Sequence, residues 1–253
     1  GLGDVYKRQV YRNVLFISLA VLTLFLCLCV ILHFAADRFI KYTQQEVSNI
    51  PSMVPVALAQ EEAERLYQNL EIREEQVSQE IPGIISMDIS QDSEFLLAGK
   101  DSILVLDRNF SPQTQISLTV NSAFYVLWNG KNIFIILERG DDCVEITQQG
   151  DLVGAYKIST ADSQNEKFLQ AIRSRNEWKT GTGLYRLERA PGLLCLFANG
   201  EYSRLIVTYG DGRTETLLDT TENLWKPVIF FMVVVSVGLV LVTAVIVLKV
   251  HHI

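Results

Sequence analysis

The chain of 253 residues carries 22 Lys and Arg against 29 Asp and Glu, a net charge of −7. Its basic residues form no stripe, and an acidic chain of this kind is not expected to bind nucleic acid, because phosphate backbones attract basic surfaces. A mean hydropathy of +0.20 in a chain with 20% charged residues indicates that the apolar residues are concentrated in segments.

The first nine residues contain a hexapeptide that we set apart from the rest of the chain. Residues 4–9, Asp-Val-Tyr-Lys-Arg-Gln, resemble the translation of a transposon-end sequencing adapter. We therefore interpret residues 1–9 as a library scar and leave their charges out of the topology. This interpretation implies a missing natural start and an origin in assembled environmental DNA. The alternative is a genuine basic N-terminus.

An uncharged apolar segment covers residues 14–36. A bilayer core of about 30 Å needs about 20 helical residues, and apolar segments of about 18 or more residues predict a membrane span. A cleaved signal peptide is the alternative. The segment is longer than the roughly 7–15 apolar residues of such peptides, and Ala35-Ala36-Asp37 is a poor cleavage site. We therefore predict an uncleaved transmembrane helix over 14–36.

A second uncharged segment covers residues 227–248. Trp225 and Lys226 precede it and Lys249 follows it; aromatic rings and cations at the headgroup level are typical membrane anchors. We predict a second transmembrane helix here, which places both chain termini on one side of the bilayer.

The region between the two spans, residues 37–226, has 18 Lys and Arg and 28 Asp and Glu, a net charge of −10. The cations that flank the spans do not decide the orientation, because similar numbers lie on both sides. Long acidic domains between two spans often lie outside the cytoplasm in bacterial proteins of this layout. By this analogy we predict a two-pass protein of the cell membrane with an extracytoplasmic central domain and cytoplasmic termini.

Residues 37–80 are predicted to form a juxtamembrane segment followed by an amphipathic helix. The part over 56–80 is rich in helix formers, and its apolar residues share one helical face. These residues are Ala59, Ala63, Leu66, Leu70 and Val77. The helix could pack on its own domain, or it could form a stalk that pairs with a second copy, as heptad seams do. A homodimer is therefore one arrangement that the sequence allows.

Residues 83–219 alternate short apolar segments with turn residues, which is typical of antiparallel strands. Similar units occur over 95–106, 133–146 and 193–207, and a helix is predicted over 161–178. The pattern resembles β-propeller repeats of the quinoprotein or NHL type, which implies four-stranded blades about 40–45 residues apart. Three units do not close a ring of about 4–8 blades. The sequence thus predicts an α+β, mostly antiparallel β domain that is propeller-like and unclosed.

The central domain contains no histidine, since the three histidines are His33, His251 and His252. Histidine-based acid/base catalysis, Ser-His and Cys-His nucleophiles and histidine zinc sites are therefore excluded there. We predict no catalytic, cofactor-binding or metal-binding set, and an enzyme is the less favoured class.

Cys143 and Cys195 fall on predicted strands of successive units. Outside the cytoplasm they could form a disulfide, and the alternative is two buried thiols. Asp141 and Asp142 beside Gly140 could bind calcium weakly, or they could simply form a turn.

Six aromatic residues on predicted strands could line a ligand surface or fill the core. They are Tyr125, Trp128, Tyr185, Phe197, Tyr202 and Tyr209. The sequence favours a bacterial, membrane-anchored extracytoplasmic binding or interaction protein, with the lipid bilayer and a protein or glycan as partners. The alternative is the sensory input region of a transmembrane signalling receptor of the kinase or cyclase type, cut short after residue 253.

Overall fold

The computed structural model describes residues 2–43, 50–77, 83–196, 198 and 201–250. Phe197, His251 and His252 therefore lie outside the described residues. The chain divides into two compact units. One contains residues 1–43, 190–199 and 221–253, and the other contains residues 44–189 and 200–220. We call them the helical unit and the β domain.

Helix α1 spans Leu2–Thr43 and belongs to the helical unit. It is longer at both ends than the predicted span over 14–36, and it also includes most of the residues interpreted as a scar. No glycine, proline or charged residue occurs over residues 13–36, so nothing in this stretch interrupts the backbone hydrogen bonds of a helix. The stretch Arg8–Ala36 is long and apolar enough to cross a membrane.

The β domain begins with an edge segment, residues 50–77, which forms β1 (Val56–Ala57), α2 (Gln60–Asn69) and β2 (Arg73–Glu75). The helix predicted over 56–80 is thus wrong in its extent. Glu71 has a φ of 47°, outside the helical region, and the next residues pair with another strand. This strand pairing is a tertiary contact, and helix propensity does not take such contacts into account.

Sheet 1 is an antiparallel sheet of β3 (Ser86–Ile89), β4 (Phe95–Ala98), β5 (Ser102–Leu106) and β6 (Pro112–Ser117). Strand β2 pairs with β6 and adds a fifth strand at the outer edge.

Sheet 2 contains β7 (Phe124–Asn129), β8 (Asn132–Leu137), β9 (Asp142–Ile146) and β10 (Leu152–Lys157), again antiparallel. Strand β1 pairs with β10 as its fifth strand. Gly130, with a φ of 62°, lies in the two-residue turn between β7 and β8, where a positive φ matches the twist of the hairpin.

Helix α3 spans Ser163–Ser174 and is shorter than the helix predicted over 161–178. The Asp162 side chain caps its first turn by accepting a hydrogen bond from the Gln164 N–H at 2.8 Å. The helix ends because Arg175 is extended, with a ψ of 122°. Sheet 3 follows, with β11 (Glu177–Lys179), β12 (Gly183–Arg189), β13 (Tyr202–Tyr209) and β14 (Thr214–Asp219).

The third predicted repeat unit is wrong in its first half. Its apolar residues over 193–197 were expected to form a strand, but a 3-10 helix covers Gly192–Leu196 and belongs to the helical unit. Pro191 cannot donate to a strand ladder, and Gly192 has a φ of 56°. The strand that pairs with β13 instead comes from residues before Pro191.

Two apolar layers hold the three sheets together, and a third joins α3 to sheet 2. Sheet 1 packs against sheet 2 with one face and against sheet 3 with the other. The face of sheet 2 that is turned away from sheet 1 is covered by α3. Helix α2 contributes Ala63 and Leu66 to the layer between sheets 1 and 2, and Leu70, which follows the helix, packs in the same layer. The apolar face of α2 therefore packs within the domain, and pairing with a second copy stays a prediction.

Helix α4 spans Thr221–Val250 and lies beside α1 in the helical unit. It begins six residues before the predicted span over 227–248, so Pro227 lies inside the helix and not in its first turn. Cys29 Sγ of α1 lies 3.6 Å from Met232 Sδ. Among the described polar residues of these helices, Ser18 and Thr243 are buried, whereas the large apolar side chains face outward. Small polar residues inside and apolar residues outside are typical of helices packed in lipid.

Candidate binding site: a polar cleft at the junction of the sheets

Asp88 lies where the first strands of all three sheets approach one another. Its side chain is buried, and each carboxylate oxygen accepts a hydrogen bond from a different sheet. Oδ2 accepts from the Trp128 N–H of β7 at 2.9 Å, and Oδ1 accepts from Trp178 Nε1 of β11 at 3.1 Å. Asp88 therefore joins the three sheets through one side chain.

Arg175 completes this junction by pairing with Asp88. Its Nη1 lies 3.0 Å from Asp88 Oδ1, and its guanidinium group stacks 4.7 Å above the Trp178 ring. Burial raises the pKa of the Asp88 carboxyl above its ordinary value, although Arg175 and the donated hydrogen bonds oppose this rise. Burial also lowers the pKa of Arg175. In both groups desolvation is the main cause of the pKa shift and opposes their mutual attraction, which is the usual situation of a buried ion pair.

A polar cleft of about 900 Å³ opens beside Asp88. Strands β3 and β7 run in the same direction, because Ser86 Oγ accepts from the Val126 N–H just as Asp88 accepts from that of Trp128. The β3–β4 turn and the β7–β8 turn consequently lie at the same end of the sheets. Together with the β9–β10 turn they form the walls of the cleft.

The walls carry polar side chains that the β domain does not use for its own hydrogen bonds. In the part of the chain that the structure describes, the side chains of six lining residues make no hydrogen bond and no ion pair. These residues are Gln91, Asp92, Glu94, Lys131, Gln148 and Gln149. Because these side chains have no partner among the described residues, they are available to a ligand. The three glutamine amides can both donate and accept hydrogen bonds.

Trp128 provides the aromatic wall of the cleft. Its indole packs partly against the layer between sheets 1 and 2, and its Nε1 is buried without a hydrogen-bond partner among the described residues. Trp128 thus combines an apolar surface with an unused donor.

Most of the other aromatic residues that the sequence proposed for a ligand surface are placed in the core. Tyr185 and Tyr202 are buried between sheets 1 and 3, and Tyr209 packs against the same layer. Tyr125 lies against the layer under α3. The five candidates that the structure describes therefore do not form one surface, and Trp128 is the one among them that lines the cleft.

A second buried carboxylate supports the turn between β7 and β8. Glu145 Oε1 accepts from Asn129 Nδ2 and Asn132 Nδ2, both at 2.8 Å, and Oε2 accepts from the Tyr156 hydroxyl at 2.8 Å. The two asparagine bonds hold both ends of the turn that carries Lys131, and the Tyr156 bond fixes the other oxygen of Glu145. One wall of the cleft is thereby fixed before any ligand binds.

Cys143 and Cys195 are not joined in the structure, because Cys143 is a free thiol. Cys143 points into the apolar layer beneath α3, and Cys195 lies in the 3-10 helix of the other unit. Burial raises the pKa of the Cys143 thiol far above its usual range, and the charges of Glu145 and Asp142 add to the rise. Cys143 is therefore a packing residue and not a nucleophile.

The Asp141–Asp142 turn holds a lysine ammonium where the sequence suggested calcium. Lys157 Nζ pairs with Asp142 Oδ1 at 2.9 Å and donates to the Gly140 carbonyl. Asp141 has a φ of 55°, as expected of a turn residue. In the part of the chain that the structure describes, no cluster of three or more His, Cys, Asp or Glu residues could hold a metal ion.

The predicted membrane anchors lie on α4. Trp225, which is 47% exposed, and Lys226 are in its first two turns, and Lys249 is next to its last residue. Their role at a membrane surface stays a prediction.

Sequence reasoning missed Asp88 as a site residue. The available signal was a single charged residue inside the apolar strand over 84–89, which is unusual for a buried strand. Its partners lie 40, 87 and 90 residues away along the chain, so the sequence does not indicate which groups would meet it.

The sequence matches no protein-family model and no curated protein. Among solved structures, the chain is similar to a streptogramin B lyase, with 14% identity and a TM-score of 0.27 over 59% of this chain and 45% of that one. It is also similar to a virginiamycin B lyase from Staphylococcus aureus, with 12% identity and a TM-score of 0.27 over 57% of this chain and 44% of that one. The chain thus spans less than half of the length of these proteins, and similarity at this level carries no inference about its activity.

Proposed function

We propose that this chain is a bacterial two-pass membrane protein whose extracytoplasmic β domain binds a ligand in the polar cleft. The observation that carries the proposal is the contrast between two unburied apolar helices and a polar cleft with unused hydrogen-bonding groups. A binding role fits the cleft because its lining residues offer hydrogen-bonding groups that the described part of the domain does not use.

Membrane anchoring is supported by how little of the apolar helices the protein covers. The most apolar stretches of α1 and α4 are 6% and 0% buried. Twelve large hydrophobic side chains of α1 and twelve of α4 are exposed among the described residues. At about 1.5–3 kcal/mol for each large side chain, leaving them in water would cost tens of kcal/mol. A core helix would be buried by its own protein, so lipid is the cover that fits these two helices.

Ligand binding is supported by the way the cleft is built. Its base is fixed by Asp88 and one wall by Glu145, both of which are buried and fully engaged. Its rim, in contrast, carries uncommitted amides and charges. A rigid base with available polar groups is the usual composition of a preformed site. If these polar groups were packed against a sheet instead of lining the cleft, they would be expected to form hydrogen bonds within the protein.

Anchoring and orientation can be tested together in whole cells. Cys27, Cys29 and Cys195 are replaced by serine, the buried Cys143 is kept, and Gln148→Cys introduces a thiol at the cleft. We expect the chain to stay in the membrane pellet after carbonate washing. A membrane-impermeant maleimide is expected to label this variant in intact cells and the parent background only weakly. Release into the wash, or labelling that requires permeabilised cells, would contradict the anchoring or the orientation, respectively.

Binding can be tested by thermal unfolding of the full chain in nanodiscs. Ligands of three chemical classes are added: neutral oligosaccharides, a lysine-rich peptide and an inositol phosphate. A ligand at about 100 times its Kd stabilises the folded state by about 2.7 kcal/mol. We expect at least one class to raise the unfolding temperature of the parent protein and to lose this effect in a Gln91→Ala/Gln149→Ala variant. If no class does so, the cleft is not a binding site for ligands of these kinds.

A sensory role is the second candidate, and one observation favours it. Thr220 alone separates the end of β14 at Asp219 from the start of α4 at Thr221. The Thr220 N–H and hydroxyl both donate to the Ser203 carbonyl, at 2.8 and 3.1 Å. A connection of a single residue between a sensor domain and a following helix is the chain layout that a sensory role requires. A reading frame that continues past Ile253 into a kinase or cyclase module would support this role, and a stop codon would oppose it.

A further inference from the structure

We propose that the ligand of the cleft is a neutral carbohydrate chain. This inference rests on the proposed binding function and names the class of ligand. It follows from the charge, the hydrogen-bonding groups and the size of the cleft.

Charge argues against anionic ligands. Asp92 and Glu94 lie on the rim, and Lys131 is the one cation among the residues that line the cleft. The charge of Asp88 is already met by Arg175. The cleft presents two rim carboxylates and one ammonium group, so the electrostatic repulsion of a phosphate or nucleotide would exceed the attraction. The single excess carboxylate is also too little to select a strongly cationic ligand.

The hydrogen-bonding groups match hydroxyl groups. Gln91, Gln148 and Gln149 each present an amide that donates and accepts, and the two rim carboxylates accept only. A sugar hydroxyl likewise donates and accepts, so it can bond to either kind of group. Trp128 lines the cleft and is only partly buried, so we expect the accessible part of its indole to pack against the C–H face of a sugar ring.

The size and shape of the cleft favour a chain over a single small molecule. Its volume of about 900 Å³ is near the upper end of the ~300–1,000 Å³ that is typical of small-molecule sites. The cleft also opens between three hairpin turns, so a chain can extend beyond it. A peptide would be expected to add to a free strand edge or to fill apolar pockets. The walls of this cleft provide mainly polar groups, and Trp128 and Ile89 are their large apolar side chains.

The test uses the full chain in nanodiscs and isothermal titration with neutral hexasaccharides. Chitohexaose, cellohexaose and maltohexaose are each titrated to about 10 mM, which saturates a site with a Kd of about 1 mM. We expect at least one of them to bind. Gln91→Ala/Gln149→Ala is expected to weaken this binding at least about fivefold, since each of two lost hydrogen bonds contributes about 0.5–1.5 kcal/mol. Trp128→Phe is expected to keep part of the affinity, because an apolar ring remains.

A matched control is Gln68→Ala/Gln76→Ala, which removes two exposed amides outside the cleft. It should bind like the parent protein, and equal urea midpoints of all variants would show that they are folded. Binding of no hexasaccharide overturns the carbohydrate assignment. If the lysine-rich peptide or the inositol phosphate then binds in a manner that depends on Gln91 and Gln149, the binding function stands and the ligand class is wrong. If neither binds, both proposals fall.

Discussion

Asn165 offers a sharp test of how the edge segment is held. The side chain is 2% exposed and lies in the first turn of α3. Its Oδ1 accepts from the Val54 N–H at 2.8 Å, and its Nδ2 donates to the Val54 carbonyl at 3.0 Å and to the Ser159 carbonyl at 3.1 Å. These three bonds fix the amide orientation, because each carbonyl requires the nitrogen and the N–H requires the oxygen.

Asn165→Asp keeps the shape of this side chain and removes its two donors. The introduced carboxylate would face two carbonyl oxygens, and the Val54 and Ser159 carbonyls would lose their partner. A buried polar group left unsatisfied costs about 1–3 kcal/mol, and more when a charge is present. A negative charge in the first turn of a helix gains about 0.3–1 kcal/mol from the helix dipole, which is too little to compensate. We therefore expect a loss of about 2–4 kcal/mol at neutral pH.

The loss should depend on pH in a defined direction. Burial beside carbonyls raises the folded-state pKa of the introduced carboxyl above its unfolded value. Its contribution to stability is thus most favourable at acid pH, where the protonated group can donate one bond. That contribution falls as the pH rises through the folded-state pKa. The difference between variant and parent is therefore expected to be larger at pH 7 than near pH 4.

The assay is urea unfolding in detergent, followed by tryptophan fluorescence. Trp225→Phe is used as the parent background, so that the signal comes from Trp128 and Trp178 of the β domain. Gln170→Glu is the matched control, because it adds the same charge at an exposed position of α3 whose side chain makes no hydrogen bond to the described residues. It should change stability by less than about 1 kcal/mol. An Asn165→Asp loss as small as that of the control, or one that grows toward acid pH, would refute the reasoning.

The remaining predictions concern one buried group, Cys143, and two partly buried groups, Arg175 and Tyr125. Arg175→Met leaves the Asp88 carboxylate buried without its cation, so we expect a loss of about 3–5 kcal/mol at pH 7 in urea unfolding. That loss should be smaller near pH 4, because the raised pKa of Asp88 allows it to be neutral there. Cys143 should be the last thiol to react with a maleimide and should react only on unfolding, since burial raises its pKa and blocks access. Burial, aided by Glu138, raises the pKa of Tyr125 to about 12, so its contribution to stability is present below pH 10 and is lost as the pH rises through 12. Tyr125→Phe should accordingly lose less stability than the parent over that interval.

Each of these three has its own control. Arg213→Met removes an arginine whose side chain is 80% exposed and should be nearly neutral. For the thiol, a Cys27→Ser/Cys29→Ser/Cys195→Ser background isolates Cys143, and rapid labelling of the folded protein would contradict its burial. For the phenol, identical alkaline profiles of the parent and the Tyr125→Phe variant would show that another group causes the loss.

The coarse architecture could be predicted because its signals are local. Two long segments without charge indicate apolar helices, and alternation between turn residues indicates antiparallel strands, so the flanking helices and the antiparallel β domain were both expected. The ends of these elements were not predicted correctly. Residues 73–75 have helix propensity but pair with β6, and the apolar residues over 193–197 follow a proline and a glycine that turn the chain away from the sheet. In the first place a contact that is distant in sequence decides the local structure, and in the second place a local proline and glycine override the apolar pattern.

The candidate site was less accessible to sequence reasoning than the fold. Trp128 was among the aromatic residues considered for a ligand surface, yet nothing nearby in the sequence separates it from Tyr185 or Tyr202, which are in the core. The cleft forms from three turns that are about 20–40 residues apart, and the direction of β3 relative to β7 decides that they meet. Sequence spacing alone does not contain that direction.

The edge segment has a consequence for how this domain should be divided. A fragment that began at residue 83 would lack β1 and β2, so the outer backbone edges of β10 and β6 would become bare. Unpaired strand edges can form hydrogen bonds with strands of other molecules. The fragment that begins at residue 83 should therefore aggregate at concentrations at which a fragment that begins at residue 50 remains soluble. A protease cut within residues 50–77 would have the same effect on the intact protein. The edge segment therefore protects the β domain against self-association.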